Sequence, residues 1–496
     1  MIVIDGALAG VACTPWLARF QLPGAAMGDR AHATALYNQG VEAANNKNYP
    51  AHLQHAYKCF SSACYADPTW AQAFYQAGNN NVDQKMQHSA VACYRRALQC
   101  DAPPEDRAKI HSNLAWQLEE LGNIDEALVH ALKAVELDPA LVQAHLNLSI
   151  CYRDLSDSKK SLEHAERAML LDKGNNHGDI AVAFACLFDR QIMRGLKHFE
   201  KRFEWRLHHF LNYPYPQWHG EEGKVVFLVA DQGLGDTLSY SRFVRELCKR
   251  CKYVHACVQH ELLRLFQHAF RDIPNLNLLP GLNSNFPAAD AWTTFVSLPY
   301  ALGLTDEQYL NAPHISYPVY SLPKSWKVQD RKLHIGIAWR GSALNDIDRH
   351  RNLPPHEFLE LYNVPGIQFY SLQVGEHSQD LVNIGGAPVV QDMTTYIHDV
   401  VDTVSLVREL DLVISVESAL GHICALADVE CWVPYAYYGK DYRIGLTGED
   451  MIWTPRHRIF RQDKTAQWSP VFRAMQDALE QRLSQGSKNA QLKETA

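Results

Sequence analysis

No apolar run in this chain reaches the roughly 18 residues that a membrane-crossing helix needs. The opening stretch, Met1 to Cys13, is mildly apolar, but no basic segment precedes it and Asp5 interrupts it. A secretory signal is therefore not expected. Positive charge is not in excess either. The net charge is −8 over 496 residues, which argues against a general nucleic-acid binder and leaves only a local basic cleft open. Metal-ligand spacing is also scarce. Cys248-x-x-Cys251 has His255 and Cys257 nearby, but no second ligand pair follows, so buried thiols are expected rather than a metal. The twelve cysteines are scattered through apparent helices and strands, the usage of a reduced, cytoplasmic protein.

What the chain does have is repetition. Residues 37–173 show a 34-residue period, the length of a tetratricopeptide unit. The clearest unit runs from Ala108 to Pro139, with Leu114 and Ala115 in its first helix and Leu121-Gly122 at the turn. Ala127, Ala131 and Ala134 lie in its second helix. The next unit places Leu148, Ser149, Tyr152, Ser161, Ala165 and Ala168 at the same offsets, and two earlier units carry Ala56, Phe60, Ala63 and Ala90, Tyr94, Ala97. Small residues at fixed positions let paired helices approach, and each pair buries its apolar face only against the next. A degenerate fifth unit is expected over 176–207. Such a solenoid offers a concave face for a peptide or protein partner, or serves as a packing or homo-oligomerising module.

A Pro/Gly-rich segment, Tyr213 to Gly223, then changes the pattern. Short apolar runs at Val225–Ala230 and Tyr253–Val258 alternate with helical stretches from Leu238 and Leu262. A second α/β unit opens at Leu333-His-Ile-Gly-Ile-Ala-Trp339 and continues through runs at Phe369, Asp411 and Cys431. Two nucleotide-fold halves flanking a cleft suit a two-substrate transfer enzyme.

The most informative segment is Val226-Phe-Leu-Val-Ala-Asp-Gln-Gly-Leu-Gly-Asp-Thr-Leu238. It reads as a strand, a tight turn and a helix with Asp236 at its start. Gly233 and Gly235 are expected to take backbone angles closed to other residues and to let a ligand approach. Leu238 occupies the place of a dinucleotide fingerprint's third glycine, and no Gly-Lys-Ser/Thr follows. An acid there suits a general base; the plainer reading is a helix cap.

Three places in the second half carry further chemistry. Glu417 and Ser418 end a strand and start a helix, with His422 one turn on; that helix start suits a diphosphate, or Ser418 is an ordinary cap above a core histidine. Arg340 and Ser342 precede a basic loop holding Arg349 and Arg351, which can neutralise a leaving diphosphate or simply be solvated. Ser371 and Gln373 lie at another strand end, where Gln373 can read a nucleobase edge or cap a turn.

Together these stretches, with Val296-Ser-Leu-Pro-Tyr-Ala-Leu302, Asp402-Thr403 and Trp453-Thr-Pro-Arg-His-Arg-Ile-Phe-Arg-Gln462, resemble bacterial tetratricopeptide-repeat glycosyltransferases. The catalytic part is similar to the heptosyltransferase family and remotely to O-linked N-acetylglucosamine transferases. The resemblance implies an α + α/β chain: a tetratricopeptide α-solenoid, then a GT-B glycosyltransferase of two Rossmann-like domains. The implied layout is a flexible extension (1–30), solenoid (31–210), linker (211–223), acceptor domain (224–325), nucleotide-sugar donor domain (326–467), and C-terminal helix and tail (468–496).

It further implies inverting transfer with no metal and no cofactor beyond the nucleotide-diphospho-sugar co-substrate. Asp236 maps to the family's base, flanked by the acceptor-side residues Gln232, Gly233, Gly235 and Thr237. Glu417, Ser418 and His422 map to the donor helix, where the family more often has Asp-Thr. The usual Trp-Ala-Gly-Asn is Trp-Arg-Gly-Ser here, placing the unusual charge of Arg340 near the donor. The acceptor is left open: protein, glycan, lipid-linked saccharide or modified nucleic acid. The rival readings are a non-catalytic scaffold with a degenerate nucleotide-binding half, and another GT-B enzyme such as an epimerase or hydrolase.

Overall fold

The computed structural model describes residues 29–47, 51–172, 176–205, 213–281, 287–318, 320, 326–328, 331–341, 352–386, 388–438, 441–448, 451–454 and 456–494. The extension expected at the N-terminus lies outside them up to residue 28. The chain divides into two compact units, 1–147 and 148–496.

The first unit is helical: α1 (Arg30–Asn45), α2 (His52–Ala66), α3 (Ala71–Asp83), α4 (Gln87–Gln99), α5 (Pro104–Glu120) and α6 (Ile124–Leu137), with α7 (Val142–Asp154) beginning at its end. Ala63, Ala97 and Ala131 recur at the repeat period and are fully buried. A methyl at each crossing lets successive helices close on one another. Phe60 and Tyr94, also one period apart, lie over glycines. An added Cβ would stand 2.7 Å from Phe60 at Gly40 and 2.4 Å from Tyr94 at Gly78. Asn113 Nδ2 donates to Asn79 Oδ1 at 2.9 Å across one full period.

The turn inside the α5–α6 pair is closed by Gly122, with φ 79°. One and two periods later Ser156 and Arg190 take φ 65° and 64°. Both hold a left-handed conformation that glycine adopts more cheaply. The turn is thus conserved in shape along this chain although the glycine is not, which is why only one turn is marked in the sequence.

The second unit contains α8 (Ser158–Leu171), α9 (His177–Phe188), α10 (Ile192–Phe199) and two sheets. Leu187, Ile192 and Leu196 share a buried core with Leu238, Phe243 and Leu298, so the last helices and the first sheet are one packed body. Arg202 fixes the join, donating to Thr294 Oγ1 and Ser297 Oγ at 2.9 Å and to Asp231 Oδ2 at 3.0 Å.

The first sheet holds β1 (Val225–Val229), β2 (Tyr253–Val258), β3 (Leu276–Pro280) and β4 (Ala291–Thr294), ordered β3-β2-β1-β4 and all parallel. The second holds β5 (Leu333–Ala338), β6 (Ile367–Ser371), β7 (Val390–Asp392), β8 (Leu412–Ser415), β9 (Cys431–Tyr435) and β10 (His457–Arg461). Its order is β10-β9-β8-β5-β6-β7, again parallel throughout. The inner strands β1, β8 and β9 are buried nearly end to end, as parallel sheets covered on both faces require, whereas the edge strands β3 and β7 are partly exposed.

Two local features differ from the sequence reading. The helix expected from Leu238 to Cys251 starts earlier, at Leu234, and is broken by a 3-10 turn at Ser241–Phe243 before resuming at Val244–Arg250. Ser241 Oγ and Arg242 Nε bond the carbonyls of Leu238 and Ser239, at 2.6 and 2.8 Å, where the helix tightens. The Pro/Gly-rich segment before β1 is not a mere spacer: Trp218 is buried, and its amide donates to Trp292 O at 2.7 Å beside β4.

Candidate functional site

Parallel sheets gather their loops at the strands' carboxyl ends, where α/β folds bind ligands. Beyond β1, Gly233 caps the helix Leu234–Tyr240 in an extended conformation, φ −61°. Neither Gly233 nor Gly235 has a positive φ, so the expected left-handed backbone is not what glycine provides here. Gly235 provides proximity instead. A Cβ there would lie 3.0 Å from His422 Cδ2 and 3.3 Å from Ala419 Cα. The loop is braced by Gln259, whose amide donates to Gln232 O at 3.1 Å and Thr237 Oγ1 at 3.0 Å. Thr237 Oγ1 in turn donates to Gly233 O at 3.3 Å.

The opposing element follows β8. Ser418 is the N-cap of the helix Ala419–Leu426, its hydroxyl accepting from Leu420 N at 3.3 Å and lying 3.2 Å from Ser415 Oγ. Glu417 is half-buried beside it. His422 is buried and faces the first sheet's helix, with Nδ1 2.9 Å from Ser239 Oγ. Burial, then the nearby Arg443 charge, drives the imidazole well below its ordinary pKa, so it is neutral at pH 7.

Asp236 meets a residue that the sequence reading passed over. Arg443 Nη1 donates to Asp236 Oδ1 at 2.9 Å, while its Nε and backbone NH hold Asp441 Oδ1 at 3.0 and 2.7 Å. Arg443 is buried, whereas the Asp236 side chain keeps 30% exposure. Burial works against ionisation of Asp441, yet Arg443 outweighs it and holds that carboxyl below the ordinary range. For Asp236 burial prevails: its pKa is raised, with Arg443 opposing and Asp441 and Asp231 adding to the rise. An acid poised upward and partly open to solvent can take up a proton.

Tyr442 joins a buried ring of phenols, its hydroxyl 2.6 Å from that of Tyr240 and 2.9 Å from that of Tyr309. No spacing signal marks Asp441, Tyr442 or Arg443; they follow a β9 exit that is read only once the sheets are docked. A cavity of about 10 Å³ lies among Ser239, Arg242, His314, His422 and Trp453, room for about one water. A larger recess, about 300 Å³, lies near the amino end of β1 between Glu246, Arg250 and Leu304 and touches none of the candidate residues.

The second sheet's other candidates are tied into its own structure. Gln373 is buried, its Oε1 accepting the amides of Trp339 and Arg340 at 3.0 and 2.9 Å. This is the turn-capping role, and it occupies the oxygen that a base edge would need. Ser371 is buried beneath it, accepting from Gln373 N at 3.4 Å. Arg340 Nε lies 3.2 Å from Asp380 Oδ2, which also accepts from Trp339 Nε1 at 3.3 Å. Ser342, Arg349 and Arg351 lie outside the described residues. Cys248 and Cys251 are buried thiols whose pKa burial pushes up to about 12.

Comparison with known proteins places the repeats. Residues 108–141 match the tetratricopeptide repeat model. FlbA of Caulobacter vibrioides is 22% identical over 439 residues, which is 81% of this chain and 72% of that protein. Among solved structures, YrrB, a TPR protein with an unusual peptide-binding site, aligns at 19% identity over 36% of this chain and 90% of its own, with a TM-score of 0.30. MamA of Desulfovibrio magneticus RS-1 aligns at 17% over 38% and 100%, with a TM-score of 0.31. Among the described residues no helix is long and apolar enough to cross a membrane. The N-terminal part of the chain is a tetratricopeptide-like helical solenoid.

Proposed function

We propose that the chain is an inverting, metal-independent glycosyltransferase of the GT-B type that moves a sugar from a nucleotide-diphospho-sugar to a hydroxyl acceptor. The observation that carries the reading is Asp236. It stands beyond the carboxyl end of β1, largely buried but still reached by solvent, on a helix packed against the helix that Ser418 starts at the end of β8. A base on one sheet and an anion-ready helix start on the other are what a two-substrate transfer requires.

In this mechanism Asp236 takes the proton of the acceptor hydroxyl as its oxygen attacks the anomeric carbon. The bond from that carbon to the diphosphate breaks, and the electron pair leaves with the diphosphate. The Ser418 helix start, Glu417 on a sugar hydroxyl, and the arginines at 340, 349 and 351 receive the donor. The repeats recruit the acceptor or a protein partner, or mediate self-association. Buried thiols such as Cys186, Cys248, Cys251 and Cys257 fit a reducing, cytoplasmic setting.

A scaffold reading is favoured by one finding: Asp236 and Gln373 already spend hydrogen-bonding capacity inside the protein. The two readings separate in a thermal-shift panel of nucleotides and nucleotide-sugars, since a ligand of the native state raises the melting temperature. Selective stabilisation by one nucleoside diphosphate and its sugar supports the transferase. No shift from any of them, with a folded sample, transfers the assignment to the scaffold.

A further inference from the structure

Asp236 and Arg443 belong to opposite sheets, 207 residues apart, and they meet through a single hydrogen bond. Arg443 is itself immobilised. It is 7% exposed, its Nε and Nη2 engage both oxygens of Asp441, and the Asp441 amide donates to the Tyr435 hydroxyl. A fork gripped on one side by a buried carboxylate has one remaining nitrogen to present, and that nitrogen holds Oδ1 of Asp236. Oδ2 is bonded by no described residue, and the side chain keeps 30% exposure.

We propose that Arg443 is the positioning residue of Asp236: it fixes one carboxylate oxygen from across the cleft and leaves the other to receive the acceptor's proton. The base is then set only while the two sheets are docked, a state that Ser239–His422 and Tyr240–Tyr442 also hold. This rests on the transferase reading. The groups facing Asp236 are Arg443 and Asp441 from the segment after β9, Asp231 from its own turn, and the neutral His422 across Gly235. Arg202 pairs with Asp231. Arg443 is thus the one cation bonded to Asp236 among the described residues, and its removal makes the carboxyl harder to ionise.

The test compares wild type, Arg443→Lys and Arg443→Gln by kcat, donor KM and the pH profile of acceptor-dependent turnover, with melting curves to show folding. The expected result is a kcat at least about 100-fold lower in Arg443→Gln and a donor KM within about threefold. The acidic limb should move up by about one to three pH units, the reach of one lost opposite charge. Lysine, one point charge in place of a fork, should restore part of both. An unmoved limb, whatever happens to kcat, overturns the positioning role. If wild type turns over no nucleotide-sugar, the transferase reading fails by itself. The positioning role is then decided by infrared carboxyl titration, using Asp236→Asn to assign the band. A higher midpoint in Arg443→Gln, partly reversed in Arg443→Lys, supports it, and an unchanged midpoint in Arg443→Gln overturns it.

Discussion

Gly235 lies tightly against His422: an added Cβ would sit 3.0 Å from the imidazole Cδ2 and 3.3 Å from the Ala419 Cα, so one neighbour would have to give way. The glycine thereby sets the distance between the first helix of one sheet and the helix that Ser418 starts on the other.

Replacing Gly235 by alanine decides whether that distance matters. In an exposed helix the change would stabilise by about 1 kcal/mol through propensity. Here the new methyl meets backbone, and overpacking is expected to cost about 1–3 kcal/mol. The expected outcome is a lower melting temperature together with loss of nucleotide-induced stabilisation. A raised melting temperature would show that the two helices are free to separate.

Gln373 supplies a second test. Its Oε1 serves two buried backbone amides at the end of β5. Gln373→Ala leaves both without that acceptor, at about 1–3 kcal/mol for each unsatisfied group. Gln373→Glu keeps an acceptor and should recover most of the loss. If Gln373→Ala instead leaves the melting temperature unchanged and abolishes nucleotide binding, the residue reads a ligand rather than a turn.

The solenoid carries a pH dependence of its own. His111 Nδ1 lies 2.8 Å from His130 Nδ1, and burial, then His130, lowers the His111 pKa from 6.5 to about 4. The native state resists a proton that the unfolded chain accepts. Stability is therefore full above pH 6.5, declines as pH falls toward 4, and levels off below. The total is about 3 kcal/mol. Hydrogen-exchange protection factors in α5 and α6 of the full chain, corrected for the intrinsic exchange rate at each pH, should fall as pH drops through that window, and His111→Asn should flatten the dependence. An equal loss of protection in His111→Asn would remove the histidine pair as its cause.

Much of this architecture is legible without coordinates. The alanines at 63, 97 and 131 follow from the repeat period and the strands at 225–229 and 333–338 from their apolar runs. What escaped notice depended on distance across the sequence. Arg443 meets Asp236, and His422 meets Ser239, only because two sheets dock. The same holds for the glycines: the sequence marks the Gly-Leu-Gly turn, but whether glycine serves φ or proximity depends on the neighbour opposite. Ser156 and Arg190 show the reverse, since a left-handed turn is present where no glycine announces it.

The most direct test is Asp236→Asn, with each variant shown to fold and to bind the nucleotide identified in the thermal-shift panel. Asparagine keeps the size and an acceptor for Arg443 but takes no proton. The account predicts nucleotide binding near the wild-type level and acceptor-dependent transfer lower by about 100- to 10,000-fold, the range of a lost general base. Full transfer by a folded Asp236→Asn protein would contradict the assignment of Asp236 as the base.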